Sequence, residues 1–139
     1  MTREWGSFPT TADVGLWARA DSTPELFDAL ALGLFALMTD LRRVRVTQER
    51  VVQASGADPP SLTVAFLTEL ITLNAVEGFL ARKIQTRPVG NPPTALLARL
   101  WGEPFDADRH TRHFEVKAAT YHEISVDLER HRARVIVDI

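Results

Sequence analysis

The residues best suited to chemistry stand at the two ends of the chain. Asp138 and Ile139 close the run Arg134-Val135-Ile136-Val137-Asp138-Ile139. A hydrophobic strand that stops on Asp-Ile sets a side-chain carboxylate and a terminal carboxylate one residue apart. Both then sit on an ordered element rather than on a frayed tail. Hard cations such as calcium take oxygen ligands, so this pair is a candidate half-site for a divalent cation. Asp13, in Thr10-Thr11-Ala12-Asp13-Val14-Gly15, lies at the mouth of the first expected strand. If that strand runs beside the last one, Asp13, Asp138 and the Ile139 carboxylate converge. Their mutual repulsion then calls for a cation or a basic side chain. Lys117 is the candidate for the second role. It is one of only two lysines against fourteen arginines, and it interrupts the apolar stretch Val116-Lys117-Ala118-Ala119. Plainer readings stand beside these: a strand-entry Asp accepting backbone N–H bonds, and a surface lysine whose stem covers apolar neighbours.

The histidines form a second group. His110 and His113 are three residues apart. On a helix they share a face and, with Asp106 or Asp108, make a zinc-type donor set; in a loop they are solvated polar residues. In Thr120-Tyr121-His122-Glu123, strand alternation sets His122 and Thr120 on one face and Tyr121 and Glu123 on the other. Nucleophile-elbow, zinc-protease, phosphate-loop and dinucleotide fingerprints are all missing from the sequence, so nothing in the motifs argues for catalysis by this chain.

These residues need a frame. Val14 to Ala20 reads as a strand. Asp21-Ser22-Thr23-Pro24-Glu25 is a helix start, with Ser22 or Thr23 as cap, Pro24 in the first turn and Glu25 closing a capping box on Ser22. Apolar residues at Leu26, Phe27, Leu30, Ala31, Leu34, Phe35, Leu37 and Met38 give an amphipathic helix of about four turns. Glu25 and Asp28 are expected on its polar side, near the positive end of the dipole. Leu41 to Ala54 favours strand through its valines, and Ser55 to Pro60 is a turn cluster. A second helix is expected from near Ser61 to about Ala75, ended by Gly78. Phe79 to Gln85 reads as strand, Pro88 to Pro93 as a tight loop, and Thr94 to Gly102 as a further strand with helix as the alternative. Glu103 to His113 is the longest polar loop. Phe114 to Leu128 reads as one long strand, with or without a bulge, turning at Glu129 to Arg132 into an antiparallel final strand. The sum is an α+β fold: two helices packed on a largely antiparallel sheet, in a single compact domain covering residues 1–139.

Composition narrows the function classes. The formal net charge of −2, from 16 basic and 18 acidic residues, lacks the basic excess of a general nucleic-acid binder. The absence of cysteine removes disulfides, thiolate nucleophiles and cysteine metal sites. The first residues are not followed by an apolar signal-peptide core, and no apolar run reaches the roughly 18 residues of a membrane span. A soluble cytoplasmic protein with no membrane contact is expected.

Several stretches together bear a family likeness: Thr11-Ala12-Asp13-Val14-Gly15, Ala31-Leu32-Gly33-Leu34-Phe35-Ala36-Leu37-Met38-Thr39-Asp40, Glu77-Gly78-Phe79-Leu80, Gly102-Glu103-Pro104-Phe105-Asp106 with His110, Glu115-Val116-Lys117-Ala118-Ala119-Thr120-Tyr121-His122, and the closing Arg134 to Ile139. In order and spacing the chain resembles the archease family over almost its whole length. The resemblance implies a small α+β accessory protein, not an enzyme. Such proteins assist the GTP-dependent RNA ligase of tRNA splicing by promoting guanylylation of its active-site histidine and repeated turnover. It also implies a bound divalent cation, calcium in some members, with Asp13, Asp138 and the Ile139 carboxylate or carbonyl as metal positions and Lys117 as a functional basic residue. RNA would be met through the ligase. A metal-binding chaperone or structural module with other protein partners is the alternative. One departure is clear: the family reads Asp-His-Thr-Ala-Asp where this chain has Pro9-Thr10-Thr11-Ala12-Asp13. The expected consequence is the loss of groups that orient the metal ligands and raise affinity.

Overall fold

A computed structural model describes residues 3–139. In chain order the elements are β1 (Arg3–Pro9), β2 (Val14–Ala20), α1 (Thr23–Met38), a short 3₁₀ turn (Leu41–Arg43), β3 (Gln48–Ser55), α2 (Pro59–Glu77), β4 (Phe79–Gly90), β5 (Pro93–Pro104), β6 (Ala118–Ala119), β7 (Ser125–Asp127) and β8 (Arg132–Asp138). The strands form two antiparallel sheets. One has the order β1-β2-β8-β6, with β7 also on β8; the other has the order β3-β5-β4. The α+β class holds, with the sheet divided in two.

Helix α1 starts as its residues dictate. Ser22 caps it by accepting the Glu25 amide, and Pro24 fills the first turn. The Glu25 carboxylate takes the Ser22 hydroxyl at 2.8 Å, instead of the backbone N–H of an ordinary capping box. The expected polar side is corrected: Glu25 and Asp28 are both buried, as is nearly every residue of α1. The helix lies between the two sheets. Gly33 is what lets the first sheet approach: a Cβ there would sit 2.6 Å from Leu16 Cδ1 and 3.0 Å from Trp5 Cβ. On the other side, Asp28 is tied to β4. Its Oδ1 accepts the Thr86 amide at 2.9 Å and lies 2.7 Å from the Thr86 hydroxyl. Burial pushes the Asp28 carboxyl above its ordinary value, partly offset by the Thr86 hydrogen bonds.

Helix α2 starts at Pro59, two residues before the expected position, because Asp58 and not Ser61 is its cap; the two close a capping box. Gly78 ends it with a left-handed φ of 70°, a conformation that glycine adopts without a Cβ clash. Phe66 on α2 meets Phe27 on α1 edge-to-face, with ring centroids 6.1 Å apart, and both rings are wholly buried.

Three further expectations change. Residues 3–9 form a strand that the sequence pattern does not announce. Leu41 to Ala54 is not a single strand: it opens with the 3₁₀ turn, and β3 begins only at Gln48. Phe114 to Leu128 contains only the two-residue β6 and the three-residue β7. Its first part is instead anchored to the end of α1, where the His113 and Phe114 amides donate to the Met38 and Leu37 carbonyls at 2.9 Å each. Those carbonyls lack partners within the helix, so a helix end has captured a segment whose composition favoured a sheet.

Candidate functional site

The site is assembled by strand register. β2 pairs antiparallel with β8, with Val14 opposite Val137 and Gly15 opposite Ile136. The ladder closes on Val14 and Val137, so Asp13 enters β2 at the end of the sheet where Asp138 closes β8. β6 closes the other side of β8, with Ala118 opposite Asp138, and the Lys117 amide donates to the Asp138 carbonyl at 2.8 Å. Asp13, Asp138 and the Lys117 backbone therefore lie toward one end of the five-stranded sheet. Asp13 and Asp138 are half-buried and Lys117 is exposed. Ile139 packs partly against the core. Among the described residues no ion pair joins Lys117 to either aspartate, and no three His, Asp or Glu side chains gather as a ready metal site.

Asp13 is set by the turn between β1 and β2. Its amide donates to Thr10 Oγ1 at 3.0 Å, and its carbonyl accepts the Thr10 amide at 3.3 Å. Thr10 is one of the two residues that depart from the family pattern. Its hydroxyl serves the backbone, which a Thr three residues before an Asp at a strand mouth already suggests.

Ahead of the lysine segment, a buried polar cluster holds down the loop that follows β5. Glu103 ends β5 with a side chain only 7% exposed. Four donors converge on its carboxylate: Arg109 through Nη1 at 2.8 Å and Nη2 at 2.6 Å, the Arg45 amide at 2.7 Å, and His110 Nε2 at 2.9 Å. The Arg109 hydrogen bonds are the largest cause holding the Glu103 carboxyl down at about 2, with Arg45 and His110 adding to them against burial. The Asp106 amide donates to His110 Nδ1 at 2.9 Å, so Nδ1 is the acceptor and Nε2 carries the ring proton toward Glu103. Both open readings of His110 are thereby corrected. The ring is neither a zinc ligand nor solvated; it is fully buried, with both nitrogens used inside the protein. His113 is exposed, with Nε2 3.2 Å from Thr111 Oγ1. Thr39 Oγ1 donates to the Thr111 carbonyl at 2.7 Å, fastening the same segment to the end of α1. His122 and Glu123 lie in a turn, Glu123 at φ 52°, so their expected strand alternation does not occur.

What results is a small two-sheet α+β domain with two aspartates at the same end of adjacent strands and a lysine segment pairing beside one of them. The family profile described as "Archease protein family (MTH1598/TM1083)" matches residues 5–139. The chain is 31% identical to protein archease of Pyrococcus furiosus, with 99% of both chains covered. It is 30% identical to protein archease of Danio rerio, covering 100% of this chain and 87% of that one. Its fold matches the solution structure of Methanobacterium thermoautotrophicum protein 1598 with a TM-score of 0.81 at 32% identity, covering 97% and 98% of the two chains. A crystal structure from Thermotoga maritima, described as an archease and possible chaperone, shares the fold at a TM-score of 0.55 and 16% identity, over 95% and 94%. This chain belongs to the archease family.

Proposed function

We propose that this protein is a non-catalytic activator of the GTP-dependent RNA ligase of tRNA splicing, promoting guanylylation of the ligase and its repeated turnover. The observation that supports the reading is the β2–β8 and β6–β8 register, which brings the chain segments carrying Asp13, Asp138 and Lys117 to one end of the sheet, in a chain of this family. Two carboxylates and the Ile139 terminal carboxylate are hard oxygen donors, the type that calcium or another divalent cation takes. They make only part of a coordination shell, which suits a site that a partner's groups or water complete. A cation held there supplies positive charge to phosphates at the ligase centre.

The chain's own residues do the positioning. The β2–β8 ladder brings the two aspartates to the same end of the sheet. The Lys117 amide bond to Asp138 fixes the lysine segment beside them, leaving the ammonium exposed toward a phosphate or acidic partner group. The test is multiple-turnover ligation with Asp13→Ala or Asp138→Ala protein. Loss of stimulation with unchanged melting is expected, and full stimulation by folded variants would reject the role.

The description of the Thermotoga protein as a possible chaperone favours a second reading, a metal-binding chaperone with other protein partners. Co-purification of partners without the ligase, from cells that express both, would favour it.

A further inference from the structure

The acidic pair stands at the top of an exposed face that its own role does not use. Alternation along β1, β2 and β8 places one set of side chains on the outside of the five-stranded sheet, and the register arranges them in rungs. Below Asp13 and Asp138 comes Phe8–Gly15–Ile136. The next rung is Gly6–Trp17–Arg134–Ser125, and below it Glu4–Arg19–Arg132–Asp127. The two aromatic rings lie across glycines. A Cβ on Gly15 would meet the Phe8 ring, and one on Gly6 would sit 2.6 to 2.7 Å from the Trp17 indole. Guanidinium groups stack on both rings, Arg134 at 4.8 Å from the Phe8 centroid and Arg19 at 5.7 Å from that of Trp17. Arg19, Arg132 and Arg134 are exposed. Glu4 binds Arg19 at 2.7 Å, and Glu123 stands 4.0 Å from Arg134.

We infer that this face binds a short single strand of RNA directly, with its bases on the Phe8/Arg134 and Trp17/Arg19 stacks and its phosphates on Arg132 and Arg134. Successive rungs are about 6.8 Å apart along a strand, comparable to the phosphate step of an extended polynucleotide. Flat aromatic and guanidinium surfaces on an antiparallel sheet are how proteins hold unpaired bases with little sequence preference. The charge pattern gives the strand a direction: one terminal phosphate meets the cation at Asp13 and Asp138, and the chain runs down toward Arg19 and Arg132. That direction rests on the cation reading above; the stacking platform does not.

The experiment is fluorescence anisotropy of a labelled ten-nucleotide single-stranded RNA with the full chain, without ligase, over a salt series, in calcium and in chelator. Saturable binding is expected in both. Arg132→Glu with Arg134→Glu should weaken it at least tenfold and lower the salt slope by about 0.7 for each phosphate left without its arginine. Trp17→Ala should weaken it severalfold. Both arginines are exposed, so unchanged melting keeps the test clean. Asp138→Ala should bind in calcium no more weakly than wild type binds in chelator while losing ligase stimulation, which separates failure here from failure of the activator role. Wild-type protein that does not bind the RNA, or binding that the arginine changes leave intact, overturns the inference. If the arginine variants lose ligase stimulation while wild type binds no RNA, the face is a protein-docking surface, and the inference is equally overturned.

Discussion

Changing Glu103 to Gln tests whether the buried cluster that holds the loop ahead of the lysine segment works through charge. The carboxylate takes four donors on two oxygens. Glutamine fills the same volume but puts an NH₂ against at least one of those donors, leaving a buried polar group unsatisfied. The carboxyl lies at about 2 in the fold against an ordinary 4.5, a difference worth about 3 kcal/mol at neutral pH. Arg109, its main partner, is 27% exposed; solvent screening brings the figure nearer 2 kcal/mol. The sign follows from the depressed value. The stability is fully present above about pH 4.5 and drains away as pH falls toward 2. Urea unfolding of wild type and Glu103→Gln is the assay. The variant should lose about 2 kcal/mol at pH 7 and less than half of that at pH 3. An equal loss at both pH values would mean that packing, not charge, is what Glu103 provides, and would refute the reasoning. The lysine segment should loosen with it, read as faster amide exchange at Phe114 and Lys117.

Other outcomes follow from single interactions. Asp28→Asn should leave stability at neutral pH unchanged or raised, because burial already disfavours the ionised form; Asp28→Ala should cost about 2 kcal/mol by stripping Thr86 of its partner, both read by thermal melting. The raised carboxyl also means that wild type loses some stability as pH climbs from about 4 through the folded value, a loss that Asp28→Asn should abolish. Gly33→Ala gains about 1 kcal/mol in helix propensity but drives a Cβ to 2.6 Å from Leu16, so a net loss of roughly 1–2 kcal/mol is expected in denaturant melts. Residues added after Ile139 should weaken calcium binding in calorimetry if its terminal carboxylate is a ligand; unchanged affinity would remove Ile139 from the site.

The sequence by itself determined the local elements whose residues carry their own instructions. Ser22-Thr23-Pro24-Glu25 starts a helix anywhere, Gly78 ends one, and the alternating close of the chain is a strand in any context. It also determined the family, through motifs spread along the whole chain, and with it the aspartates to watch. The tertiary structure alone decided where those residues went. Asp13 and Asp138 are 125 positions apart in the chain, and only the β2–β8 register brings them to the same end of the sheet. Asp28 and His110 look like solvent residues by type, yet both are buried, because Thr86 from a distant strand and Glu103 from the end of β5 bring the hydrogen bonds that offset the cost of burial. Phe114 opens a stretch with the composition of a strand, but the open carbonyls at the end of α1 claim its amide and that of His113 first. Local sequence sets what a segment prefers; the partner that folding brings to it decides which polar groups are satisfied, and so which side chains remain free to act.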